Sequence, residues 1–206
     1  MNKRAFAWLF PLGAIAAVLS FPFPPPVLGV LLAIAAVALL TAGGLWFSKA
    51  IPFGRPRILP ALLIGVASGA IVVVTLPLFG LEARMKMDGA LPLWQRLVMS
   101  FNAAVLEEIV FRLFVVSLVT WLCAKVMRRE LAGWLGILAG ALTFAVVHLP
   151  RWTAFGAATM AAVIFVNSAI AIVFGLMYVK WGIESAMTGH FGGDLVVHVA
   201  GPYFFA

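Results

Sequence analysis

A chain of 206 residues in which 65% are hydrophobic and 10% charged carries more apolar surface than a soluble domain can bury, so it needs lipid around it. Its net charge of +7 sits in small groups at the ends of apolar stretches, with no long basic run or stripe, which excludes a nucleic-acid partner. The lone cysteine, Cys123, excludes an intramolecular disulfide and a Cys-based metal cluster.

Crossing the hydrocarbon as a helix takes about 20 apolar residues. Lys3 and Arg4 precede the first such run, 5–21, in the manner of a secretory signal peptide, and the expectation is a retained membrane helix. The breaker Phe21-Pro22-Phe23-Pro24-Pro25-Pro26 closes it, and runs at 27–48 and 58–81 follow. Glu82 to Arg96, with mixed charge, Pro92 and Trp94, reads as an interfacial helix. The remaining runs are 93–124, 131–149, 156–179 and 182–205. None shows the alternation of barrel strands, so helices are expected throughout. The expected fold is all-α: a polytopic integral membrane protein with about seven transmembrane helices around a polar intramembrane cavity, in one domain over 1–206.

Short loops rich in Lys and Arg stay cytoplasmic. With seven spans, one side collects Lys3, Arg4, Lys49, Arg55, Arg57, Lys125, Arg128, Arg129 and Lys180, and the other Arg84, Lys86, Arg96 and Arg151. The N-terminus is therefore expected inside and the C-terminus outside. Gly175, Gly182, Gly189, Gly192 and Gly193 read mostly as packing residues, and Asn167 and Ser168 as partners for hydrogen bonds between helices. The absence of an internal repeat weighs against an inverted-repeat transporter.

An ionisable group in the hydrocarbon costs roughly 2.5–3.5 kcal/mol on insertion scales, so such groups are few and usually functional. Here they gather on three runs: Glu107, Glu108 and Arg112; then His148; then Glu184, His190, Asp194 and His198. Glu108 and Arg112, four apart, share a helix face and neutralise each other. Glu107 diverges from Glu108 by about 100°, and Ala103, Ala104, Val110 and Phe111 offer it no partner. Its partner must come from another helix, and the candidates are His148 and His190. Asp194, four residues beyond His190, could hold that imidazole in one tautomer. His198 continues the stripe and reads as structural. A carboxylate with two histidines suffices to deprotonate a water and stabilise an oxyanion, the chemistry of amide hydrolysis. Straight helices would set the three at different depths. A common site demands unequal helix lengths, a kink near Gly189, Gly192 or Gly193, or re-entrant packing.

These motifs, Glu107-Glu108 with Arg112, Phe144 with His148, and His190 with Asp194, resemble those of the CPBP intramembrane proteases, which include the CAAX prenyl protease type II and bacteriocin-processing (Abi-like) enzymes. The motif-bearing core is expected over about 93–206, with 1–92 as N-terminal helices. The resemblance implies an endopeptidase in which Glu107 activates water with help from His148, while His190 and the residue at 194 bind the oxyanion. Glu108 and Arg112 would then be support, and Phe144 a wall. Asp194 stands where the prenyl-protein-processing members have Asn, and an ionised Asp cannot donate to an oxyanion. It would be protonated, act through His190, or bind metal.

No cofactor is favoured. Zinc on Glu107, His148 and His190 is the alternative, although the soluble His-Glu-x-x-His motif is absent. The expected partners are the bilayer and a membrane-anchored or lipidated protein or peptide substrate, in the cytoplasmic membrane of a bacterium or archaeon. Two rivals remain: a proton-coupled transporter or channel using the buried Glu, His and Asp set as a relay, and an inactive peptide-binding chaperone or immunity protein.

Overall fold

The computed structural model describes residues 3–22, 25–80, 82–149 and 156–205, and of 82–84 the backbone alone. Phe23, Pro24, Arg151 and the Arg84 side chain lie outside the described residues. Every regular element among the described residues is helical. The helices are α1 (Lys3–Leu19), α2 (Val27–Phe47), α3 (Ile58–Thr75), α4 (Glu82–Gly89), α5 (Leu93–Asn102), α6 (Ser117–Cys123), α7 (Arg129–His148), α8 (Ala157–Trp181) and α9 (Ile183–Asp194). Between α5 and α6 the chain stays helical but in π-helical hydrogen bonding, Ala103–Val116, and a second π-stretch, Leu195–Ala200, extends α9.

Four segments are long and apolar enough to cross a membrane by length and composition: Val27–Ala50, Ile58–Phe79, Arg129–His148 and Ala157–Trp181. Of the other three expected spans, α1 has 17 residues. The runs from Leu93 and from Ile183 change helix type part-way, and they carry most of the buried charges, Arg96, Glu108, Arg112 and His190. The helices that carry most of the buried charges are thus not among the four. Glu82 to Arg96 is not one interfacial helix but two, α4 and α5, with Pro92 as the α5 N-cap. Met85, Asp88 and Arg96 are buried. Arg96 donates from Nη1 to the Val199 carbonyl at 3.2 Å and from Nη2 to the Tyr203 hydroxyl at 3.3 Å, so it braces the chain after α9 instead of lying free in a loop.

The π-stretch 103–116 is the hub of the core, burying Val105, Ile109, Leu113 and Val116 with Leu9 of α1, Val37 and Leu45 of α2 and Phe174 of α8. Its π-register adds a residue to each hydrogen-bonded turn, a departure that recurs at functional sites. Cross-helix bonds set the register of α8 beside it: Arg112 Nη2 donates to the Ala171 carbonyl at 3.4 Å, and the Ser117 and Tyr178 hydroxyls pair at 2.6 Å. Gly182, at φ 87°, is the single residue between α8 and α9, a conformation that favours glycine.

α9 continues as α-helix through Gly189, Gly192 and Gly193, so these glycines do not break it. They let α9 lie directly on α3. A Cβ at Gly65 of α3 would run into the Gly189 carbonyl oxygen, and one at Gly69 would stand 2.5 Å from the Gly193 carbonyl oxygen. Small residues on facing helices permit this approach in lipid, where van der Waals contact replaces the hydrophobic drive. Gly65→Ala is therefore expected to cost about 2 kcal/mol or more of stability. Gly133→Ala on α7, where an added Cβ meets nothing within 4 Å, is expected to be neutral or stabilising. Thermal unfolding of the two variants in detergent compares them, and equal stability would contradict the close contact.

Candidate active site

Glu107 and Glu108 leave the π-stretch, His148 is the last residue of α7, and His190 and Asp194 lie on α9. The fold brings these side chains together. One Glu107 carboxylate oxygen lies 3.8 Å from His148 Nε2 and the other 3.8 Å from His190 Nε2. His190 Nε2 is also 3.6 Å from Asp194 Oδ1. His190 and Glu108 are buried, while Glu107 and His148 keep 28% and 21% of their side-chain surface exposed. That exposure matters because a reacting group must meet water and substrate.

The protons can be placed from partners that only accept. The Phe144 carbonyl, 2.7 Å from His148 Nδ1, receives its proton and leaves Nε2 facing Glu107. Glu108 Oε1 lies 2.8 Å from His190 Nδ1, and its Oε2 is 3.4 Å from the Arg112 guanidinium. A carboxylate paired with an always-charged guanidinium accepts from Nδ1–H, so His190 turns Nε2 toward Glu107 and Asp194. The side chain that takes the Nδ1 proton and orients the His190 ring is thus Glu108, not Asp194 as the four-residue spacing suggested. Adjacent glutamates diverge, yet both reach one imidazole because its two nitrogens face opposite sides.

Phe144 packs between the imidazoles and the π-stretch and lines the cavity beside them. Its ring lies 4.5 Å from that of His148, 6.1 Å from that of His190 and 5.2 Å from that of Phe111, and the Arg112 guanidinium sits 4.9 Å from its centre. Phe174 of α8 stacks on His190 at 5.0 Å. It was missed in the sequence, where nothing separates it from other apolar residues of its run. The Asp88–His198 pair, Oδ2 to Nδ1 at 2.5 Å, was missed because Asp88 belongs to a helix that looked superficial. Among the described residues Asn167 makes no bond between helices: its Nδ2 donates to the Val163 carbonyl at 2.8 Å on its own helix.

A cavity of about 920 Å³ opens beside this cluster, lined by Glu107, Phe144, His148, His190 and Asp194 and continuing past Asn167, Val197 and His198. Zinc was the alternative assignment for Glu107, His148 and His190. No group of three His, Cys, Asp or Glu among the described residues is arranged to hold a metal ion.

Residues 89–196 match the family model for type II CAAX prenyl endopeptidase Rce1-like proteins. The chain belongs to this family. As an Rce1-like protein it is a hydrolase of the protease class, with helices able to span a membrane. The matched region holds all three motifs and the elements from α5 to α9. No curated protein and no solved structure matches the chain.

Proposed function

We propose that this Rce1-like protein is an intramembrane endopeptidase that hydrolyses a peptide bond near the membrane-embedded or C-terminal end of an anchored or lipidated protein, with Glu107, His148, His190 and Asp194 as its catalytic set. One observation carries the reading: the Glu107 carboxylate lies between two imidazoles at 3.8 Å from each. That is too long for a direct hydrogen bond and suits a shared water between them.

Glu107 takes a proton from this water as its oxygen bonds to the substrate carbonyl carbon, with His148 Nε2 orienting the water. The charge that develops on the carbonyl oxygen meets His190, which donates from Nε2 as an imidazolium between Glu108 and Asp194. Asp194 thus acts through His190. The tetrahedral intermediate then collapses, its C–N bond breaks, and the leaving amine takes the proton from Glu107. Glu108, Arg112 and Phe144 hold this arrangement.

Seven membrane passes in one domain, N-terminus inside and C-terminus outside, would place the cluster within the bilayer of a bacterial or archaeal cytoplasmic membrane. The cavity then admits substrate among the helices. Prenylated tails, bacteriocin-like precursors and C-terminal sorting helices are the candidate substrates. The test is the purified protein in proteoliposomes with peptides of each class, read by mass spectrometry of the products. Cleavage at one bond is expected, and it is expected to survive a strong zinc chelator. Proton-driven flux without hydrolysis would replace this reading with the relay. Peptide binding without hydrolysis would replace it with the inactive binder.

A further inference from the structure

We infer that Asn167 is a substrate-positioning residue whose carboxamide hydrogen-bonds the extended backbone of the substrate within about three residues of the bond that is cut. The inference rests on the protease reading and names a residue outside its catalytic set. Asn167 lies on α8 and lines the same cavity as Glu107, His148 and His190. Residues 167, 171, 174 and 178 fall on one face of α8 by their spacing. That face is turned to the site: Ala171 accepts from Arg112, Phe174 stacks on His190, and Tyr178 pairs with Ser117. The pairs Arg112–Ala171 and Ser117–Tyr178 run in the same chain direction. Following them back by one more turn brings Asn167 to the end of the site where Glu107 stands.

One Asn167 N–H goes to the Val163 carbonyl. The other N–H and Oδ1 have no partner among the described residues and are left to the cavity. Val163, Val166 and Ile170 around it on the same wall are apolar. A peptide must be extended to be cut, and unwinding it in lipid strips its N–H and C=O groups of their helical partners, at several kcal/mol per group left unmet. A carboxamide offers both a donor and an acceptor, so it can replace those partners whatever the substrate's side chains. Asn167 lies two turns, about 10 Å, along α8 from Phe174. An extended chain at about 3.3 Å per residue covers this in about three residues.

The experiment is an ester scan of the cleaved peptide, replacing one backbone amide at a time outside the scissile bond. Wild-type protein is expected to show a KM raised roughly three- to tenfold by an ester at one position, with kcat little changed. Asn167→Leu and Asn167→Ala are expected to raise the KM of the all-amide peptide by the same factor and to be indifferent to the ester at that position. Their thermal unfolding is expected to match wild type. The same pattern is expected in the Kd of the non-cleaving Glu107→Gln variant, with and without Asn167→Leu. A wild type that binds the peptide without cutting it therefore overturns the protease reading and leaves this inference to the Kd values. If the sensitive position persists in the Asn167 variants, or if none exists in wild type, the inference is overturned.

Discussion

Glu107→Gln is expected to lower peptide hydrolysis by roughly 10²- to 10⁴-fold, the range for loss of a positioned general base, with little change in KM or thermal stability. Glutamine keeps the length and shape of the side chain but cannot take a proton from water. Glu107 is partly exposed to the cavity and sits 3.8 Å from each imidazole, so no direct bond is lost. Initial rates and KM in proteoliposomes, with thermal unfolding alongside, check this. Retained activity would remove Glu107 from the mechanism, and loss of fold would make it structural.

Arg112→Met is expected to destabilise the protein by about 3–5 kcal/mol, the usual consequence of removing one member of a buried ion pair. Glu108 and Arg112 are 0% and 1% exposed, so water cannot take the place of the guanidinium. Methionine fills much of the volume but leaves Glu108 with His190 alone, and it removes the cation from between Phe144 and Phe174. The double variant Glu108→Leu/Arg112→Met is expected to regain most of the stability, because apolar replacement of both partners is often near neutral. It is expected to stay inactive, because His190 Nδ1 has then lost its acceptor. Thermal unfolding of the two single variants and the double variant measures the coupling. Equal destabilisation by Arg112→Met alone and by the double variant would argue against the buried pair.

What was legible in the chain follows from what lipid demands. A charge in an apolar run stands out, so Glu107, Glu108, Arg112, His148, His190 and Asp194 could be listed from their cost alone, and the apolar runs gave the all-helical class. Partnership was less legible. A spacing of four identified the Glu108–Arg112 pair, but the Glu108–His190 bond joins residues 82 apart, and no local pattern encodes it. The same spacing pointed to Asp194 for the His190 tautomer, whereas Glu108 reaches Nδ1 from another helix. The π-register of 103–116 escapes any reading based on the α-helical period. α4 was misplaced because its charged composition concealed how deeply Asp88 and Met85 sit.

The glycine contact between α3 and α9 bears on where the working unit ends. The family match begins at residue 89, and every proposed catalytic side chain lies beyond that point, yet α3 (Ile58–Thr75) lies before it. Gly65 and Gly69 meet the α9 backbone at Gly189 and Gly193, on either side of His190. A fragment starting at Gly89 would possess all its reactive groups and lack the seat on which one of them rests. The helices outside the matched region are thus the masonry of the site, and exchanging them between relatives would shift His190 even with each motif intact.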